Sequence, residues 1–317
     1  MKIVLAGGTG QVGTLLGRTF TDGGHDVVAF SRQPRPAPWR VLPWDAATLG
    51  PWADELDGAD VVIGLAGRNV NCRYTPENRR LILDSRVNST RVLGRAIAHC
   101  AQPPRAWLQA STATIYAHRF DAPNDEATGL IGGDEPNAPD TWRFSIAVAK
   151  AWEQAARDAA LPRTRLVLMR SALTLSPDRG GIFSVLLNLV RLGAGGAVAG
   201  GRQYVSWIHD QDFVRAVLWL IDHPELDGPV NVASPNPLPQ AEFMRVLRQA
   251  WGMPIGLPAT AWMAAIGALV LHTETELILK SRRVVPGRML AAGFNFQFPE
   301  WPDAARDLCA RWRQGGA

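Results

Sequence analysis

Apolar residues in the first half of the chain follow two alternating rhythms. Short continuous runs have the length and β-branched content of buried strands: KIVLAG (2–7), DVVAFSR (26–32), DVVIGLAG (60–67), AWLQAS (106–111) and RLVLMRS (165–171). Between them the period lengthens. QVGTLLGRTFTDGG (11–24) predicts a helix ending in glycines. Leu83, Val87, Thr90, Gly94 and Ile97 fall on one face of a second helix, and Ala149, Trp152, Glu153 and Ala156 on one face of a third. Strands without a polar face, alternating with helices, predict an α/β fold: a Rossmann-type doubly wound parallel sheet covered on both sides. After about residue 172 the alternation stops. Residues 176–204 read as glycine-rich loop and helix, PVNVA (229–233) as a further strand, and 237 onward as mostly helix ending in GFNFQFPEW (293–301). The expected domains are 1–235, a dinucleotide-binding domain whose segment 176–205 contributes to the substrate lobe, and 236–317, a smaller, mostly helical C-terminal domain.

GGTGQVG (7–13) joins the first strand to the first helix. Gly7 suits a tight turn, Gly10 lets backbone approach a pyrophosphate, and Gly13 lets the helix pack on the strand; the helix N-terminus then holds the phosphates. Gly7, Thr9, Gly10, Gln11, Val12 and Gly13 are therefore candidate cofactor contacts. A strand ending in a carboxylate would hold the 2′-hydroxyl of NAD. Here the second strand ends Ser31-Arg32, with Arg35 nearby, so a guanidinium is available to a 2′-phosphate and NADP(H) is expected over NAD(H). Asp45, after RVLPW, could accept from the adenine amino group. Leu65, Ala66 and Gly67 end the third strong strand, where small residues let a cofactor cross the sheet edge. Ala110 and Arg170, near the ends of the next two strands, and Arg86, on the helix after GLAG, complete the expected cofactor set.

Composition narrows the alternatives. The net charge is +4, but the basic residues are scattered, without a run of five, which argues against nucleic acid. Three separated cysteines form no CxxC and suit a reducing cytoplasm. Six histidines without HxH or HExxH spacing support no metal site. The most apolar window, LPATAWMAAIGALVL (257–271), is shorter than a membrane span and reads as a buried or interfacial helix.

GGTGQVG, GLAG, ASTATIYA (110–117) and SWIHDQDF (206–213) together resemble the extended short-chain dehydrogenase/reductase superfamily, of nucleotide-sugar epimerase type. RYTPENRRLILDSRVNSTRVL (73–93), TLSPDRGG (174–181), GGRQYVSWIH (200–209), VNVASPNP (230–237) and SRRVVPGRMLAAGFNFQFPEW (281–301) are similar to its atypical epimerase family proteins, which carry a C-terminal domain of unknown function. The resemblance implies that a Ser or Thr after the fourth strand polarises a carbonyl, and that a Tyr four residues before a Lys carries the proton. Thr112, beside Ser111, takes the first role.

The tyrosine is missing. In FSIAVAK (144–150), aligning on Lys150 puts Ile146 at its position; aligning on Glu153 puts Ser145 there and Ala149 at the lysine. Of the three tyrosines, Tyr116 belongs to a structural motif and Tyr204 is the one expected to reach inward; Tyr74 has no assigned role. Thr112, Lys150 and Tyr204 form the expected catalytic set. Val205 stands where related epimerases hold a substrate diphosphate with Arg, leaving Arg202 as a neighbour. His209 is expected to be structural, bonding Asp212 or a loop carbonyl. These residues point to an NADP(H)-dependent oxidoreductase or epimerase-like protein acting on an unidentified small molecule, with oligomerisation open. The alternative is a non-catalytic NADP(H)-binding regulator. Convergence of Thr112, Tyr204 and Arg202 on one polar pocket would favour the enzyme.

Overall fold

The computed structural model describes residues 1–263 and 274–315. Residues 264–271 of the apolar window 257–271 thus lie outside the described residues. The N-terminal half runs β1 (Lys2–Ala6), α1 (Gln11–Asp22), β2 (Asp26–Ser31), β3 (Arg40–Pro43), β4 (Val61–Gly64), α2 (Pro76–His99), β5 (Ala106–Thr112), α3 (Asp140–Arg157) and β6 (Arg165–Ser171). There follow β7 (Leu173–Leu175), α4 (Ile182–Arg191), β8 (Tyr204–Val205), β9 (Trp207–His209), α5 (Asp210–Asp222), β10 (Gly228–Val232), β11 (Leu238–Pro239) and α6 (Gln240–Trp251). The C-terminal region is helical, with α7 (Glu276–Leu279), α8 (Gly287–Ala291) and α9 (Trp301–Gly315).

Seven strands form one parallel sheet in the order β10-β6-β5-β4-β1-β2-β3. The order reverses at β1, the place where a doubly wound sheet opens a crevice at the strands' carboxyl ends. Strand alternation sorts the core into two layers. Ile3 and Leu5 of β1 pack with Leu16 and Phe20 of α1 and with Val217 of α5. Val4 and Ala6 face the other side, with Val92 and Leu93 of α2 and Ala156 of α3. A third cluster joins Phe183 and Leu187 of α4, Phe243 of α6, and Trp301 and Leu308 of α9. There Phe243 stacks on Trp301 at 4.1 Å between ring centroids.

His209 is buried as expected, but its partners are not. Its Nε2 meets Asp307 at 2.9 Å and its Nδ1 accepts from the Gln211 N–H, while the ring stacks on Phe298. Asp212 instead accepts the N–H groups of Gln297 and Phe298. Burial holds the imidazole below its ordinary pKa. Among the described residues, no helix is long and apolar enough to cross a membrane.

Candidate functional site

A cleft of about 790 Å³ opens at the carboxyl ends of β1, β2 and β4. It is lined by Gly7, Thr9, Gly10, Ser31, Arg32, Asp45, Leu65, Ala66 and Gly67, together with Arg35 and Asn88. Its floor is tight where the chain turns. Gly7 has φ of +90°, and a Cβ there would sit 2.7 Å from the Ala66 backbone nitrogen. A Cβ on Gly13 would lie 2.6 Å from the backbone of Gly8, so helix α1 meets the loop through backbone alone. Gly10 differs: a methyl group there would meet nothing within 4 Å. Gly10 is also the N-cap of α1, no side chain caps that terminus, and the first turn holds no carboxylate. Its free N–H groups and dipole face an anion without competition.

Several expected contacts have other duties. Ser31 Oγ is shared between the Thr9 hydroxyl at 2.8 Å and the Gln33 N–H at 3.1 Å, which ties the loop to the end of β2. Asp45 lines the cleft with its carboxylate in a local turn, where the Thr48 hydroxyl and the N–H groups of Thr48 and Ala47 hold it below the usual carboxylate range. Gln11 turns its amide toward Gly181, and its Nε2 is buried without a hydrogen-bond partner. Val12 packs against the core. Ala110 does not line the cleft; its carbonyl accepts from Gln109.

Arg170 does not reach the cleft either. Its guanidinium makes a two-pronged pair with Glu153 at 2.8 and 2.9 Å and donates to Tyr116 Oη at 3.0 Å. Glu153 also accepts from Ser111 at 2.7 Å. Carboxylate and guanidinium stabilise each other's charged form against burial, so the Glu153 pKa is lowered and that of Arg170 raised. This cluster clamps α3 onto β5 and β6.

A second, smaller pocket of about 120 Å³ adjoins the cleft. Its walls include Tyr74, Arg86, Thr112, Thr114, Ser145, Ala149 and Glu276. The shared partition is Gly67 and Arg86: the guanidinium carbon lies 3.2 Å from where a Gly67 Cβ would be. Arg86 donates to the Ile82 carbonyl and stacks over Trp152 at 5.1 Å. No carboxylate pairs with it among the described residues, and burial pulls its pKa down to about 10.

The phase of α3 decides which residues of FSIAVAK meet the pocket. Ser145, Ala149 and Trp152 face the pocket, as spacings of four and three on a helix require. Lys150 is one residue out of phase and lies exposed, beside Gly133. It is therefore no part of the pocket, which Ala149 lines instead. Tyr204 and Arg202 are also elsewhere. They line an open surface groove, where Arg283 lies over the Tyr204 ring at 4.6 Å and Arg202 over Phe120 at 5.9 Å. The convergence of Tyr204 and Arg202 on Thr112 that would favour an enzyme over a regulator does not occur: both line the surface groove, where β8 pairs with β11.

Tyr74, Glu276 and Arg282 are the residues that sequence reasoning missed. Tyr74 Oη lies 3.5 Å from Ser145 Oγ, and Ser145 donates to Glu276 Oε2 at 2.6 Å. Arg282 pairs with Glu276 Oε1 at 3.0 Å and donates from Nε to the Thr114 hydroxyl at 3.1 Å. Lys280 is buried behind the same turn and donates to the Thr114 carbonyl at 2.7 Å. The only sequence signal for Tyr74 was the scarcity of tyrosine.

Comparison with known proteins places this geometry. The pattern of the NAD dependent epimerase/dehydratase family matches residues 3–233, and a domain of unknown function, DUF1731, matches residues 260–308. Epimerase family protein SDR39U1 of Bos taurus is 34% identical over 98% of this chain and 100% of its own length. Epimerase family protein YfhF of Bacillus subtilis is 29% identical over 98% of both. The crystal structure of human epimerase family protein SDR39U1 (isoform 2) with NADPH superposes with a TM-score of 0.83 at 30% identity, covering 98% of this chain and 99% of that one. A sheet reversing at β1, a glycine loop opening α1 and a match over most of the chain leave one assignment: the protein belongs to the NAD dependent epimerase/dehydratase family, with the C-terminal domain of its epimerase family proteins.

Proposed function

We propose that the chain is an NADP(H)-dependent oxidoreductase that acts on the carbonyl of a small molecule. The observation that carries this reading is the small, largely apolar pocket, holding Thr112, Tyr74, Arg86 and Ser145, that abuts the cleft across Gly67. The cleft residues fit the cofactor. Gly10 leaves room beside an uncapped helix N-terminus, and Arg32 and Arg35 sit at the end of β2 with no carboxylate between them. The human relative bound to NADPH supports the same choice of cofactor. When bound, NADPH supplies a hydride to a carbonyl carbon. The chain's part is to orient the carbonyl. Thr112 Oγ1 accepts from the Thr114 N–H at 3.1 Å, which leaves its own O–H to donate toward a substrate oxygen.

Arg32→Ala is expected to weaken NADPH binding about tenfold or more, one charge-assisted pair, while NADH binding stays nearly unchanged. Calorimetry with both cofactors reads this, and equal losses would remove the 2′-phosphate assignment. Gly10→Ala is expected to leave apo stability within about 0.5 kcal/mol, since its methyl meets no protein atom, yet to cut NADPH affinity by at least about tenfold. Unchanged affinity would mean that no phosphate approaches Gly10.

A non-catalytic NADP(H)-binding regulator is favoured by two observations: α3 presents Ser145 and Ala149, neither a Tyr nor a Lys, to the pocket, and Tyr204 and Arg202 do not join Thr112 there. Single-turnover NADPH oxidation against pooled small-molecule cell extract separates the two. Oxidation that Thr112→Val abolishes makes the chain an enzyme. Tight NADPH binding with no such oxidation makes it a regulator.

A further inference from the structure

We infer that Tyr74 is the proton donor of this site, supplied from the turn before α2 to the place that the superfamily fills from α3. The inference rests on the NADP(H)-dependent reading above and adds the acid that the reading lacks.

Three observations meet at this phenol. The first is position. α3 turns Ser145, the residue at the tyrosine position, into the pocket with Thr112, and Tyr74 Oη lies 3.5 Å from Ser145 Oγ. A phenol from a different element thus ends beside the oxygen of the residue that replaced it. The second is support. Ser145 Oγ is within hydrogen-bond reach of both Glu276 Oε2 at 2.6 Å and Tyr74 Oη, and Arg282 fixes Glu276 from behind. The Tyr74 ring is held edge-on by Phe144 at 5.1 Å, and its backbone N–H donates to Glu274 at 2.7 Å. The third is charge. Arg86, a cation without a carboxylate partner among the described residues, lines the same pocket as Tyr74.

The surroundings set the direction of proton transfer. Burial, and then the Glu276 carboxylate, push the Tyr74 phenol up to about 12. Ser145 and Arg282 oppose this shift and Cys72 adds to it. At neutral pH Tyr74 holds its proton, as an ordinary phenol does; the raised value makes it a weaker acid, so it serves as the donor only when a positive charge beside it brings the phenol back toward working pH. As hydride reaches the carbonyl carbon, the C=O π pair moves to oxygen. That oxygen takes the proton from Tyr74 Oη, forming the alcohol O–H. The phenolate left behind regains one proton from solvent. The sum is one hydride and one proton added across C=O.

The test uses the protein's low tyrosine count. With ζ-¹³C-tyrosine incorporated, only three phenol signals exist. Tyr74→Phe assigns one of them, and Tyr204→Phe together with Tyr116→Phe gives the same assignment by elimination should the first variant fold poorly. The signals are followed from pH 7 to 11 in the apo protein, with NADP⁺, and with 2′,5′-ADP, which lacks the nicotinamide. The expected result is that the Tyr74 signal does not titrate through pH 11 in the apo protein or with 2′,5′-ADP, and that NADP⁺ brings its titration into that window, a drop of about one unit or more such as a nearby positive charge produces. A Tyr74 signal indifferent to bound NADP⁺, or one moved equally by 2′,5′-ADP, overturns the inference and leaves the cofactor reading standing. Failure of NADP⁺ to bind at all overturns both.

Discussion

Glu153→Ala should destabilise the protein by about 3–5 kcal/mol, the cost of leaving a buried charge without its partner. Glu153 and Arg170 are almost fully buried and share two hydrogen bonds at 2.8 and 2.9 Å. Removing the carboxylate strands the Arg170 guanidinium between β5 and α3, and Ser111 loses its acceptor. Arg157, half in solvent, can offset little. The double variant Glu153→Met with Arg170→Met should lose less than the sum of the two singles, because no unpaired charge remains. Urea unfolding of the parent, Glu153→Met, Arg170→Met and the double variant measures this cycle, with Glu153→Ala read beside them. A loss below about 1 kcal/mol for Glu153→Ala would mean that water reaches the pair and screens it.

The second large effect concerns pH. Lys280 is buried under the Thr112–Thr114 turn, and burial, aided by Arg282, pulls its ammonium down to about 8 from an ordinary value of 10.5. The sign follows from proton counting. Between pH 8 and 10.5 the unfolded chain holds a proton that the folded chain has lost, so this group makes stability rise with pH across that window. Below pH 8 the folded protein bears the full cost of a buried ammonium. Lys280→Met should therefore compare most favourably with the parent at pH 7, and lose about 2–3 kcal/mol of that relative advantage by pH 10.5. Chemical denaturation of both proteins at the two pH values reads the difference. A stability difference independent of pH would show that Lys280 titrates alike in both states.

What the sequence determined by itself was whatever is written in contiguous residues. Strand runs and helical spacing specify the layers, because burial on a sheet or a helix face repeats every two or 3.6 residues. That suffices for a doubly wound sheet with a helical C-terminal region. GGTGQVG was legible for the same reason: one turn and one helix start hold it together, and Gly7, Thr9 and Gly10 line the cleft with the ends of β2 and β4. Tertiary structure decided the rest. Lys150 and Ala149 are neighbours in sequence, yet the packing of α3, including the pair of Glu153 with Arg170, sets which one turns inward. Arg170 ends a strand at the sheet's carboxyl edge, but a partner on another element takes its charge. Tyr204 sits in a segment that pairs with β11 and turns outward. Tyr74 and Ser145 are 71 residues apart, and Ser145 and Glu276 a further 131. No local period connects them. Their meeting depends on how α2, α3 and the C-terminal helices pack, and packing is a property of the whole chain.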